Sequence, residues 1–114
     1  MKIHPLKNGF TAKLDKIAAD KSISHRFGVF SMLCADECSA NNYLLAEDTL
    51  NTLEIVRNLG AFVQRDGDKV RIKAPLKIQS PNKVLDCGNS GTTMRLMMGF
   101  LAGVQGFFVL SGDK

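Results

Sequence analysis

The sequence predicts a mixed α/β (α+β) fold: one β-α-β-α-β-β unit, then the start of a second. Three observations carry this. Phe10, Ala12 and Leu14 alternate with Thr11, Lys13 and Asp15 at the period of a strand. Two apolar stripes at helical spacing follow, one from Phe27 to Cys34 and one from Leu50 to Leu59. Asp66-Gly67-Asp68 then divides two short runs, as a hairpin turn does.

Taken in order, residues 2–15 read as strand or hairpin, broken at Asn8-Gly9, and Ile17-Ala18-Ala19 is a short apolar lead. Ser22 is the expected N-cap of a buried amphipathic helix over 23–35. Ser39 to Leu45 reads as a strand. Asp48 or Thr49 is the expected cap of a second helix, with Glu47 and Asp48 at its positive end and Gly60 just past its last turn. Ala61–Arg65 and Lys69–Ala74 are the hairpin strands, and Pro75 and Pro81 bracket a loop. Val84–Cys87 is a short strand, and Met94–Gly103, apolar nearly all round, predicts a fully buried helix. Phe107–Leu110 predicts a buried strand.

The chain has 114 residues, 45% of them hydrophobic and 23% charged, which suits one modest folded core. No apolar run approaches the ~18 residues that a membrane span needs, and Met1-Lys2-Ile3-His4-Pro5 lacks a signal-peptide core. A cytoplasmic protein that does not bind membranes is expected. The net charge is +4, but the cations are dispersed and the aromatics are few (seven Phe, one Tyr), so nucleic-acid stacking is a weak reading. Three cysteines, Cys34, Cys38 and Cys87, make an odd count and read as free core thiols. No metal site is expected, because His4 and His25 stand apart from any ligand pair.

Two polar stretches carry chemistry. Asp20-Lys21-Ser22-Ile23-Ser24-His25-Arg26 puts cations and hydroxyls at a helix start, where unpaired N–H groups and a partial positive charge favour an anion such as phosphate. Ser22 and Arg26 are four apart and share a helix face. From the pattern alone, a plain capped helix with solvated charges is the favoured reading of the same residues. The second stretch is Gly88-Asn89-Ser90-Gly91-Thr92-Thr93-Met94-Arg95. Its glycines permit close backbone approach, and its hydroxyls lie before an apolar helix. It has neither P-loop nor dinucleotide-fingerprint spacing. Both stretches sit between a predicted strand and a buried helix, an internal echo.

These stretches resemble the two substrate-binding motifs of the 5-enolpyruvylshikimate-3-phosphate synthase family. Ala19 to Arg26 is similar to the first motif and Leu85 to Leu96 to the second; Glu47-Asp48-Thr49 and Leu110-Ser111-Gly112-Asp113 match in order and spacing. The resemblance implies two domains built of β-α-β-α-β-β units with the active site in the cleft between them. It implies transfer of the enolpyruvyl group of phosphoenolpyruvate to the 5-hydroxyl of shikimate 3-phosphate, by addition and elimination through a tetrahedral intermediate, with release of phosphate. This is the penultimate step towards chorismate and the aromatic amino acids. No cofactor and no metal is implied, the partners are the two small substrates, and the full-length enzyme is expected to be a monomer.

Carried over by residue, the resemblance implies that Lys21 touches both substrates and is the catalytic candidate, as proton donor or charge stabiliser. Ser22 and Arg26 would hold shikimate 3-phosphate. Asn89, Gly91 and Thr92 would shape the phosphoenolpyruvate pocket, with Arg95 supporting them. Two positions depart from the family pattern: Ala18-Ala19 replaces a Pro-Gly, and Leu96 stands where proline is common. Glyphosate competes with phosphoenolpyruvate in this family; Gly91 resembles the sensitive form. Family members are several times longer, so the chain is expected to be an N-terminal fragment without turnover of its own. Residues 1–15 would belong to the other domain and 16–114 to a partial substrate-binding domain. The alternatives are a UDP-N-acetylglucosamine enolpyruvyl transferase relative, which has Lys-Asn where this chain has Lys21-Ser22, and a small basic nucleic-acid-binding module.

Overall fold

The computed structural model describes residues 1–2, 4–5, 8–14 and 17–113. Helix α1 spans Lys21–Phe30 and tightens into a 3-10 turn at Ser31–Leu33. Its cap is Asp20, whose carboxylate accepts from the Ile23 N–H at 2.7 Å, and not Ser22. Asp is as good a cap as Ser, and placing it at residue 20 lets Ser24 reach back to the Asp20 carbonyl at 2.8 Å. Ser31 Oγ donates to the Phe27 carbonyl at 2.6 Å, and Cys34 is extended, so the helix stops short of the expected residue 35.

Strand β1 is Cys38–Ala40 only. The expected continuation to Leu45 fails at Asn42, whose φ of 59° turns the chain. Tyr43 instead enters the core, with its hydroxyl donating to the Thr49 carbonyl at 2.8 Å and its ring edge-on to Phe27. Helix α2, Glu47–Asn58, starts after Ala46. Thr49 lies inside the first turn, where its hydroxyl oxygen accepts from the Ala46 N–H at 3.1 Å, so neither Asp48 nor Thr49 is the cap. Gly60, at φ 101°, ends the helix as expected.

Strands β2 (Phe62–Asp66) and β3 (Lys69–Lys73) pair antiparallel in the register Asp66↔Lys69, and β1 adds to the other edge of β3, giving the order β1-β3-β2. Val70 and Ile72 point into the core while Lys69, Arg71 and Lys73 point out, the two-residue period of a half-buried strand. Strand β4 (Leu85–Asp86), helix α3 (Gly91–Ala102) and strand β5 (Leu110–Ser111) complete the chain, with β4 and β5 parallel. The core joins Val29 of α1, Leu53, Ile55 and Val56 of α2, Val70 and Ile72 of β3, Leu85 of β4 and Met97 of α3.

Four further expectations are corrected. No strand forms over 8–14, where Phe10 and Leu14 are about three-quarters exposed; no described strand lies beside them. The remainder of the expected 2–15 strand includes residues 3, 6, 7 and 15, outside the described set. The described order therefore begins at α1. Helix α3 is buried on one side only, at Thr93, Met97 and Leu101, and Met98 is half exposed because no described element covers that face. The last strand is shorter and later than expected, and Phe107 is exposed. All three thiols are free, but only Cys87 is a core residue: burial raises it to about 11, while Cys34 is exposed. Among the described residues no helix is long and apolar enough to cross a membrane.

Candidate functional site

The starts of α1 and α2 and the turn before α3 converge on one polar cleft of about 290 Å³. Lys21, the first residue of α1, faces Asp48 of α2, and the two form an ion pair. Hydrogen bonding from Lys21 holds the Asp48 carboxyl below its ordinary range. Asn89 lines the opposite wall, in the turn between β4 and α3. Glu47, Asp86 and Asp113 add three more carboxylates to the lining, so among the described lining residues Lys21 is the one cation.

The turn that presents Asn89 is set by backbone geometry. Gly88 has φ 52°, and its N–H donates to Asp86 Oδ1 at 2.8 Å. The positive φ favours glycine there, and a Cβ, 2.5 Å from Asn51 Nδ2, would push that amide out of its present place. The Asp113 N–H donates to the Gly88 carbonyl at 3.2 Å and ties the segment after β5 to the same turn. Ser90 caps α3 by accepting from the Thr93 N–H at 3.1 Å.

Beneath the cleft lies a fully buried group that sequence reading passed over. His25 Nδ1 is 2.7 Å from Thr52 Oγ1 and 3.0 Å from Thr93 Oγ1, and its Nε2 is 3.3 Å from Ser90 Oγ. Thr93 Oγ1 lies 2.8 Å from both Thr52 Oγ1 and Ser90 Oγ. Burial lowers the His25 pKa, with Lys21 and Arg26 acting in the same direction and Asp48 opposing. The signal available in the sequence was the face Ser24, His25, Gly28 and Val29, which α1 buries whole.

Both perturbed groups tie stability to pH with the same sign. A folded-state pKa below the unfolded value gives stability that is complete above the unfolded value and is lost as pH falls. The urea midpoint is expected to be flat between about pH 7 and 8, to fall as pH drops below the ordinary histidine value of 6.5, and to fall again below the ordinary aspartate value of 3.8. His25→Asn should remove the first limb and spare the second. A first limb that persists in that variant would refute the assignment to His25.

The structure brings together two of the expected site residues, Lys21 and Asn89. Ser22 is exposed on the first turn of α1 and is absent from the cleft lining, as are Gly91 and Thr92 at the start of α3. Arg26 borders a shallow apolar pocket with Ile23, Phe27 and Phe30. Arg95 folds back towards Gly91, 3.4 Å from where a Cβ would stand, and borders a second apolar pocket with Phe30 and Leu33. Asp48, Asn51, Asp86 and Asp113 in the lining were not expected site residues. A separate depression on the sheet, between Ser39, Gln64, Asp66 and Arg71, holds none of the motif residues.

The family model for EPSP synthase (3-phosphoshikimate 1-carboxyvinyltransferase) matches residues 7–114. A 3-phosphoshikimate 1-carboxyvinyltransferase of Campylobacter jejuni is 63% identical over all 114 residues, and one of Campylobacter concisus is 55% identical. An EPSP synthase structure from Acinetobacter baumannii superposes with a TM-score of 0.77 at 32% identity, covering 85% of this chain and 23% of that one. The chain spans about a quarter of the length of the curated relatives, 27% in both Campylobacter proteins.

Proposed function

Because this chain belongs to the EPSP synthase family, we propose that its cleft is part of the site where enolpyruvyl passes from phosphoenolpyruvate to the 5-hydroxyl of shikimate 3-phosphate. The observation that carries the reading is that Lys21 and Asn89, one from each motif, line the same cleft. Lys21 takes the junction between the substrates, where its ammonium stabilises charge that develops as the hydroxyl adds and phosphate leaves. Asp48 fixes that ammonium in place. Asn89, Gly91 and Thr92 belong to phosphoenolpyruvate, Ser22 and Arg26 to shikimate 3-phosphate, and Arg95 steadies the start of α3. Ser22 and Arg26 are exposed and off the present lining, so the phosphoester they hold extends beyond the cleft. The whole enzyme works without metal or cofactor, as a cytoplasmic monomer, and residues 1–15 belong to its other domain.

One ammonium against four carboxylates makes a weak anion site when taken alone. Shikimate 3-phosphate titrated into the 114-residue chain is expected to bind saturably with a Kd of about 1 mM, shifting the NMR signals of Lys21 and Asn89 together, and without phosphate release when phosphoenolpyruvate is added. No saturable shift, or preferential binding of an oligonucleotide whose affinity falls about 1,000-fold between 50 and 200 mM salt, would overturn the reading in favour of a nucleic-acid module.

A further inference from the structure

We propose that His25 is a positioning residue: through a buried ring of hydrogen bonds with Thr52, Thr93 and Ser90, it sets how the Lys21 wall of the cleft stands relative to the Asn89 wall. This rests on the reading of the cleft as a substrate site. The ring has four edges: His25 Nδ1 to Thr52 Oγ1 (2.7 Å), Thr52 to Thr93 (2.8 Å), Thr93 to Ser90 (2.8 Å), and Ser90 to His25 Nε2 (3.3 Å). A neutral imidazole offers one N–H and one lone pair, and each hydroxyl one proton. Four protons therefore fill four edges head to tail, in either direction. An imidazolium would donate at both ends and break that circuit.

Each member sits beside a cleft residue. His25 is one helical turn beyond Lys21 on α1. Thr52 is one turn beyond Asp48 on α2, and its hydroxyl also lies 3.2 Å from the Asp48 carbonyl. Ser90 adjoins Asn89. The helices meet closely here, since a Cβ on Gly28 would stand 2.9 Å from Thr52 Cγ2. An apolar plug of equal volume would fill this junction, but dispersion contacts tolerate small rotations that directional hydrogen bonds resist. The ring thus fixes the rotation of three helix starts, and with it the placement of Lys21, Asp48 and Asn89.

The test compares His25→Asn, which keeps a donor and an acceptor, with His25→Leu and Thr52→Val, which keep bulk and break the ring. Residual dipolar couplings report the orientation of α1 relative to α3, and titration reports shikimate 3-phosphate affinity, both under conditions where each variant is folded by circular dichroism. The expected result is a changed α1–α3 orientation in the Leu and Val variants, affinity weakened about tenfold, and recovery of most of both in the Asn variant. A purely structural role would lower stability and leave orientation and affinity of the folded molecules unchanged, and that result would overturn the proposal. If the unsubstituted chain does not bind shikimate 3-phosphate, the substrate reading fails by itself, and the orientation arm still decides whether His25 sets the helices. Should His25→Leu fail to fold, Thr52→Val breaks the same ring and decides the question alone.

Discussion

Lys21→Met is expected to weaken shikimate 3-phosphate binding by about tenfold or more while the chain stays folded. A hydrogen bond to a charged group contributes about 1.5–3 kcal/mol, and each 1.4 kcal/mol is a factor of about ten. Lys21 is the one cation among the described lining residues, so no neighbour substitutes for it. Its side chain is half exposed and its ion pair with Asp48 is open to solvent, so the pair adds no more than about 1 kcal/mol to stability. Met keeps an unbranched stem and removes the charge together with its N–H donors. Lys21→Arg is expected to recover part of the loss, because a planar fork cannot occupy the position of a compact ammonium. In the Met variant Asp48 loses the partner that holds it low, so the acid limb of the stability profile below pH 3.8 should shrink. Binding within threefold of the unsubstituted chain would remove Lys21 from the site.

Leu85→Ala is expected to be the most damaging change to stability near the cleft. Leu85 is fully buried in a strand of two residues, and its N–H donates to the Val109 carbonyl at 2.8 Å. Removing three carbons there leaves a void that so short a strand cannot close by shifting, at a cost of about 2–4 kcal/mol. For a chain of this size the melting temperature should fall by about 10 °C. Because Leu85 leads directly into Asp86 and Gly88, the loss is expected to loosen the turn that presents Asn89 as well. Phe107→Ala, at a ring that is 79% exposed, is the control and should change stability by less than about 0.5 kcal/mol. Thermal unfolding of both variants checks the pair, and a shift under about 3 °C for Leu85→Ala would contradict it.

Much of the fold was legible because local rules and tertiary packing agree. The β2–β3 hairpin follows from alternation on either side of Asp66-Gly67-Asp68, and Gly67 adopts the positive φ of 58° that its turn requires. Helix α2 follows from its apolar stripe and from Gly60. Errors arose where two local signals compete or where tertiary structure decides. Asp20 and Ser22 are both good caps, and the folded helix uses Asp20, whose carboxylate takes the Ile23 N–H. Tyr43-Leu44-Leu45 has strand composition, but the left-handed turn at Asn42 sends Tyr43 inward. Helix α3 is apolar nearly all round from Met94 onward, a pattern that says nothing about which sides have partners. At the site, Lys21 and Asn89 were legible because each lies in a dense local motif. The carboxylates at 48, 86 and 113 are scattered along the chain and converge only on folding. His25 was hidden for a related reason: its partners lie 27, 65 and 68 positions away.

The turn at Gly88 bears on how the site can drift over generations. Cys87 is enclosed, residue 88 holds a positive φ that favours glycine, and Ser90 is held by its bonds to Thr93 and His25. Asn89 alone in that run is exposed, and it lines the cleft. Heritable change in this wall is therefore funnelled through one position, flanked on both sides by residues whose replacement would be selected against for reasons of folding. A lineage can retune what this wall contacts at residue 89, or by substitutions reaching in from α1 and α2, at less cost to folding than by changing the turn that presents it.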